Sequence, residues 1–153
     1  DRLLAISGDM RDTKVIEDAV ARTEDELGPI FGAVANVGLY PCPPGFEVDD
    51  ETWDAGFTQN LDSAWRLSRA ALRRMTPRGE GSVLLISSIA GLGALGTAMT
   101  YGTSKAAMNH MTKVPKKRPM SSVKPASLAA SLRPAARSAS SMRSTLTTST
   151  TMR

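Results

Sequence analysis

Tyr101 and Lys105 have the residue types and the spacing of an acid/base pair. Placed four residues apart, they would lie on one face of a helix. A tyrosine hydroxyl alone ionises at about pH 10, so it is a poor proton donor or acceptor near neutrality. A neighbouring ammonium group favours the phenolate and lowers that pKa. The pair is therefore suited to moving a proton while an alcohol and a carbonyl are interconverted.

Four further features could contact a substrate or a cofactor, and each also has an ordinary structural reading. Ser88 follows a predicted strand, where its hydroxyl could bind a substrate oxygen or cap a helix. Asn60 lies inside a predicted helix, where asparagine is mildly unfavourable. Asp9 and the segment Asn36-Val37-Gly38 follow two other predicted strands, where they could meet a ligand or simply form turns. Tyr and Lys four residues apart also occur by chance in many helices.

Strands and helices that would position these residues alternate along the chain. Apolar runs at residues 3–7, 30–35 and 82–88 predict buried parallel strands. Helices are predicted at 12–27 with Gly28 as the stop, over about 20 residues from near Trp53 or Phe57 to Pro77 and Gly79, and at 99–112. The middle helix should bury Leu61, Ala64, Trp65, Leu72 and Met75, with arginines opposite. This order predicts an α/β fold with a doubly wound parallel sheet.

Charge divides the chain into two parts. Residues 1–112 contain 10 Lys/Arg and 15 Asp/Glu, a net charge of −5, whereas residues 113–153 contain 9 Lys/Arg and no acid. The second part also lacks glycine and aromatic residues and is rich in serine and threonine. We therefore expect one folded domain at 1–113 and a basic tail at 114–153 that is disordered.

Six positions together resemble the short-chain dehydrogenase/reductase family, in its simple reductase branch. The motifs are Gly-Asp-Met-Arg-Asp, Ala-Asn-Val-Gly, Gln-Asn-Leu, Leu-Ile-Ser-Ser-Ile-Ala-Gly and Tyr-Gly-Thr-Ser-Lys, from about residue 2 to residue 113. Steps of 27, 24, 28, 13 and 4 residues separate Asp9, Asn36, Asn60, Ser88, Tyr101 and Lys105, and these steps match family members. An epimerase-like extended family member shares Tyr-x-x-x-Lys, but the Ser88–Tyr101 step and the position of Asn60 favour the reductase branch.

The resemblance implies a role for each matching residue. Tyr101 would be the acid/base, Lys105 would lower its pKa and hold the nicotinamide ribose, and Ser88 would orient the substrate oxygen. Asn60 would hold a water that relays protons to Lys105. Asp9 and the Met10 backbone would contact adenine, with Asn36, Val37 and Gly38 beside the adenosine. The cofactor would be NAD or NADP, the substrate a small alcohol or carbonyl compound, and the full-length form a homo-oligomer in the cytoplasm.

The sequence departs from the family in three respects. No glycine-rich turn for a pyrophosphate is present, and the resemblance implies two strands before the first one here, so we expect a partial Rossmann-like sheet from a longer protein. Pro115 would break the last helix, and the tail reads like translation in a shifted frame. Val37 replaces the usual alanine, which could crowd the cofactor. We therefore expect an oxidoreductase that is impaired in this form.

Alternatives remain open at this stage. The chain could be a non-catalytic family-like subunit or a relic, although a scaffold does not need Ser88, Tyr101 and Lys105 together. The basic tail could bind nucleic acid or an anionic membrane, but it has no aromatic residue to stack on bases, and we expect neither partner. Cys42 and His110 are the only cysteine and histidine, which excludes an internal disulfide and disfavours a triad or a metal site.

Overall fold

The computed structural model describes residues 3–40, 45–93 and 98–113. A π-helical turn joins the second helix to the third, and short 3-10 turns at Gly45–Glu47 and Ile89–Gly91 come before the second and fourth helices. The regular elements, in chain order, are α1 (Thr13–Leu27), β1 (Gly32–Ala35), α2 (Asp50–Phe57), the π turn (Thr58–Asp62), α3 (Ser63–Arg78), β2 (Ser82–Leu85) and α4 (Met99–Met111).

The sheet of the described residues consists of β1 and β2. They run parallel, with Gly32 opposite Ser82 and Ala35 opposite Leu85. Beyond β2, the Ile86 N–H donates to the carbonyl of Ala35 over 3.0 Å, which extends the pairing by one bond. The strands predicted at 30–35 and 82–88 are therefore confirmed in shorter form. Helices between parallel strands confirm the predicted α/β class, with the features of a partial Rossmann-like sheet.

The strand predicted at residues 3–7 is wrong for this structure. The segment has no strand conformation, and Leu3 is 92% exposed. A parallel strand is stable only when its backbone groups pair with a neighbour. In the described residues β1 pairs with β2 alone, so the apolar run at 3–7 has no strand beside it.

Helix α1 forms as its sequence signals predict. The Asp12 carboxylate accepts a hydrogen bond from the Lys14 N–H at 2.7 Å, which satisfies one free N–H at the helix start. At the other end Gly28 has φ 99°, a conformation that favours glycine. Ile16 and Val20 are buried against Ala70 of α3, so α1 covers the same side of the sheet as α3.

Helix α3 holds more buried residues than any other described element, but its apolar face differs from the predicted one. Ala64, Ala71 and Met75 are buried as a stripe at helical spacing. Trp65 is 50% exposed, because it lies one residue, or about 100°, around the helix from Ala64. The helix ends at Arg78, and Gly79 adopts the left-handed conformation at φ 70° as predicted for a helix stop.

Arginines of α3 meet acidic residues of α1 across the helix pair. Arg73 lies 3.2 Å from the Glu17 carboxylate, and Arg78 lies 2.9 Å from that of Glu24. Glu24 also accepts a hydrogen bond from the Ile30 N–H at 3.2 Å, so it ties the start of β1 to both helices. These contacts hold α1 against α3 and against the start of β1.

Two predictions lie outside the described residues. They concern Cys42 and the tail at 114–153. In the part of the chain that the structure does describe, no helix has the length and apolar character needed to cross a bilayer.

Candidate active site

Helix α4 places Tyr101 and Lys105 next to each other. The Lys105 ammonium nitrogen lies 5.5 Å from the centre of the Tyr101 ring. Lys105 is only 2% exposed, and its nitrogen donates a hydrogen bond to the Ile86 carbonyl at 2.9 Å. The predicted one-face arrangement is therefore present, and the end of β2 holds the lysine in it.

Burial changes the acid–base behaviour of Lys105. Loss of hydration disfavours the charged ammonium and lowers the pKa of Lys105 below its usual 10.5. Among the residues that the structure describes, no carboxylate forms an ion pair with this lysine, so nothing of opposite charge offsets the effect. The lowered pKa makes the Lys105 ammonium a stronger acid than that of a surface lysine.

Asn60 lies in the π turn and is fully buried. Its side-chain oxygen accepts from the Leu39 N–H at 2.6 Å, and its amide nitrogen donates to the Leu39 carbonyl at 2.9 Å. A π turn inserts one residue into a helix, and such turns are frequent at functional sites. Both polar ends of this side chain therefore hold the loop that follows β1.

Gly38 shows how closely three of the predicted site residues come together. A Cβ atom added at Gly38 would lie 3.6 Å from the Asn60 side-chain oxygen and 3.7 Å from the Lys105 nitrogen. The loop after β1, the π turn and α4 therefore meet at one point. Parallel strands bring their carboxyl ends to the same edge of a sheet, where ligands of such folds bind.

Ser88 opens the turn that packs on α4. Its hydroxyl accepts from the Ala90 N–H at 3.2 Å, so it caps the turn Ile89–Gly91. A Cβ added at Gly91 would stand 2.7 Å from the backbone carbon of Lys105, and one at Gly102 would stand 2.8 Å from the Ala90 carbonyl oxygen. Two glycines thus allow direct backbone contact between the Ser88 turn and the helix of Tyr101 and Lys105.

Residues predicted near the adenosine half form a second, looser group. Met10, Asn36 and Val37 line one small cavity of about 30 Å³. Asp9 is exposed, and its carboxylate accepts three hydrogen bonds from the Arg11 guanidinium and one from the Arg11 N–H, at 2.7 to 3.0 Å. Hydrogen bonds from Arg11 hold the pKa of Asp9 down at about 2. The Asp9 carboxylate is therefore ionised and already paired with Arg11.

The residues fit the ribose side of a nicotinamide nucleotide. An ammonium has three donors, and Lys105 uses one of them on Ile86, which leaves donors for ribose hydroxyls. Gly38 and Asn36 are exposed at the strand end, where backbone can approach a ligand. Within the described segments, no three His, Cys, Asp or Glu side chains are grouped closely enough to hold a metal ion.

Three contacts of this site were not predicted. Leu39 and Ile86 act through their backbone atoms, and the type of a residue does not predict such a contact. Tyr40 lies against Tyr101, with ring centres 4.9 Å apart and planes at 74°. Its sequence signal was that the chain has only two tyrosines, one of them in a loop beside the Asn-Val-Gly segment.

Comparisons with known proteins agree on one family. The profile described as short chain dehydrogenase matches residues 1–120. The chain is 36% identical over 112 residues to the 2,3-dihydro-2,3-dihydroxybenzoate dehydrogenase of Bacillus subtilis, which covers 71% of this chain and 42% of that protein. It is 33% identical over 112 residues to an uncharacterized NAD-dependent oxidoreductase of Mycobacterium tuberculosis, covering 72% and 41%.

A solved structure gives the same result at the level of the fold. The crystal structure of a short chain dehydrogenase from Mycobacterium smegmatis superimposes with a TM-score of 0.65 at 28% identity, covering 68% of this chain and 44% of that one. The chain therefore spans about two fifths of the length of the proteins that it matches.

Proposed function

Because this chain belongs to the short-chain dehydrogenase family, we propose that it carries the catalytic segment of an oxidoreductase that interconverts an alcohol and a ketone or aldehyde with NAD or NADP. The observation that supports this most directly is the pairing of Tyr101 with a buried Lys105 on one helix. The close approach of Gly38 to Asn60 and Lys105, and the packing of the Ser88 turn on α4, support the same assignment. The proposal covers the catalytic set Asn60, Ser88, Tyr101 and Lys105.

In this proposal Tyr101 exchanges a proton with the substrate oxygen. Lys105, already short of hydration, supplies positive charge beside the phenol and donors toward the nicotinamide ribose. Ser88 orients the same substrate oxygen by a hydrogen bond. The bound nicotinamide supplies the hydride chemistry, while the chain supplies orientation and proton transfer.

We assign the remaining cofactor contacts to the residues at the strand ends. Asp9, the Met10 backbone, Asn36, Val37 and Gly38 would lie along the adenosine, with Tyr101 and Lys105 at the ribose. The cavity shared by Met10, Asn36 and Val37 supports this grouping. Asp9 would exchange part of its contact with Arg11 for the adenine amino group, since Arg11 occupies its carboxylate.

The proposal extends to the whole protein in two further respects. We propose that the family domain comprises residues 1–113 and that 114–153 add nothing to the site. We also propose that the full-length protein is a cytoplasmic homo-oligomer that acts on a small alcohol or carbonyl compound. A matched pair of chains with and without 114–153, compared by light scattering and by binding to DNA and to anionic vesicles, tests whether the tail changes the oligomeric state or adds a partner.

Turnover by the 153-residue chain alone is expected to be below detection. The sequence contains no Gly-x-x-x-Gly-x-Gly turn between a strand and a helix, the motif that binds a pyrophosphate at a helix N-terminus. The measurement is NADH and NADPH oxidation at 340 nm with several ketones and aldehydes (the standard wavelength for reduced nicotinamide). Clear oxidation that depends on Tyr101 would show that the chain is not impaired.

A chimera tests the catalytic assignment itself. Residues 3–113 would replace the matching segment of the Bacillus subtilis relative, which supplies the remaining parts, and turnover would be followed with that relative's own substrate. Loss of a positioned acid/base costs roughly 10²- to 10⁴-fold in rate, so Tyr101→Phe and Lys105→Met should lose activity in that range. His110→Gln, on the exposed end of α4, serves as the control and should have no such effect.

The chimera also separates the main proposal from its alternative. A chimera that folds by circular dichroism, binds NADH and turns over only with Tyr101 supports the oxidoreductase. A chimera that folds and binds NADH without any turnover supports a non-catalytic subunit. Turnover that survives Tyr101→Phe would remove Tyr101 from the mechanism.

A further inference from the structure

Tyr40, the other tyrosine of the chain, lies directly against Tyr101. The rings of Tyr40 and Tyr101 meet edge to face, with centres 4.9 Å apart and planes at 74°. We propose that Tyr40 is a positioning residue that holds the Tyr101 ring in place beside Lys105. This inference rests on the proposed function, since it assigns Tyr40 a purpose through Tyr101.

The backbone immediately before Tyr40 is held from the buried interior. Asn60 binds both the N–H and the carbonyl of Leu39, at 2.6 and 2.9 Å, and Asn60 itself has no exposed surface. The peptide bond that leads into Tyr40 is therefore fixed on its Leu39 side. A ring attached to a fixed backbone can restrain another ring, whereas a ring on a mobile loop cannot.

Tyr101 needs such a restraint because α4 fixes only its backbone. An aromatic side chain on a helix can still choose among rotamers, and its second torsion is broad. Two contacts limit this choice in the structure. The Lys105 ammonium lies 5.5 Å from the ring centre, held by the Ile86 carbonyl, and the Tyr40 ring meets another part of the same ring.

Edge-to-face pairs have a preferred geometry, which suits a positioning role. The positive edge of one ring meets the negative face of the other, so the pair favours one relative orientation rather than mere proximity. The usual strength of such a pair corresponds to roughly a two- to twelvefold change in the equilibrium constant between the restrained orientation and the others. Tyr40 is 44% exposed, so its ring also separates Tyr101 from part of the solvent.

The ring, and not the hydroxyl, is the part of Tyr40 that this role requires. Phenylalanine at position 40 should keep the contact, while leucine keeps apolar bulk but loses the aromatic edge. The pair Tyr40→Phe and Tyr40→Leu therefore separates positioning by the ring from simple filling of space.

The full 153-residue chain provides a clean readout, because it contains only these two tyrosines. With ring-labelled tyrosine, the NMR spectrum of the wild type contains signals from Tyr40 and Tyr101 alone, and Tyr101→Phe assigns them. We expect nuclear Overhauser contacts between the two rings and between Tyr101 and Lys105. In Tyr40→Leu the Tyr101–Lys105 contacts should weaken, by up to about twelvefold, and in Tyr40→Phe they should remain.

Two results would overturn the proposal. One is the absence of ring-to-ring contacts in the wild type, which needs no variant and so does not depend on whether a variant folds. The other is Tyr40→Leu with the same Tyr101–Lys105 contacts as Tyr40→Phe. Neither result depends on catalysis, whereas the proposed function fails on turnover that survives Tyr101→Phe, so the two failures are distinguishable.

Discussion

Replacing Asn60 by alanine should lower the free energy of unfolding by more than the loss of a single hydrogen bond would. The change removes two hydrogen bonds at once, both to the backbone of Leu39 and both from a side chain with no exposed surface. A protein hydrogen bond contributes about 0.5–1.5 kcal/mol net, so the pair is worth roughly 1–3 kcal/mol. Leu39 is partly exposed, so water can replace some of the loss, and we expect about 2 kcal/mol in the free energy of unfolding.

Asn109→Ala is the matched control for this change. Asn109 donates one hydrogen bond to the Gly91 carbonyl, at 3.2 Å, from a half-buried position on α4. Its loss should cost about 1 kcal/mol, half of the effect at Asn60. Urea denaturation, followed by circular dichroism, measures both. If Asn60→Ala costs no more than Asn109→Ala, the double hydrogen bond does not hold the loop, and the argument for Tyr40 loses its support.

Three further predictions follow from contacts around the site. Gly91→Ala should lower the free energy of unfolding by about 1–3 kcal/mol in urea denaturation, because the new methyl group meets the α4 backbone. Gly93→Ala has open space and should change the free energy of unfolding by less than about 0.5 kcal/mol, and equal effects would contradict the close approach at Gly91. The pKa of Lys105 is lowered on folding, so the unfolded chain binds that proton more tightly and the free energy of unfolding should rise with pH toward 10.5. Lys105→Met should flatten this rise, and an unchanged slope would contradict the argument from burial. Arg11→Ala should return the pKa of Asp9 from about 2 toward 3.8, as read from the NMR shift of its carboxyl carbon, and a value still near 2 would mean that another group lowers it.

Local signals in the sequence predicted the helices well where the stabilising contact is made by residues close together in sequence. Asp12 marks the start of α1 because its carboxylate caps a free N–H group, and Gly28 marks the end because glycine tolerates positive φ. Neither effect needs distant residues. Tyr101 and Lys105 share a helix face for the same local reason. These parts of the fold could be predicted from residue types and spacing alone.

Predictions that needed a distant partner were incomplete. The apolar run at 3–7 has the composition of a strand but no strand beside it, and pairing rather than composition makes a strand. Asn60 was singled out by its position, yet its partner is the Leu39 backbone 21 residues earlier, which no residue type reveals. The contact between Tyr40 and Tyr101 joins residues that only the folded chain brings together.

The π turn at Thr58–Asp62 marks where this helical segment can change in length. Helices α2 and α3 run on from each other through the turn, which holds one residue more than an α-helical turn would. Each residue of an α-helix advances the direction of the side chains by about 100°. Removing one residue other than Asn60 at this turn would leave an ordinary α-helical turn and keep the buried stripe of Ala64, Ala71 and Met75 on its face. Removing one residue between Ala64 and Ala71 would instead rotate Ala71 and Met75 by about 100° away from the core. The helix should therefore tolerate the loss of one residue at this turn better than the same loss within α3.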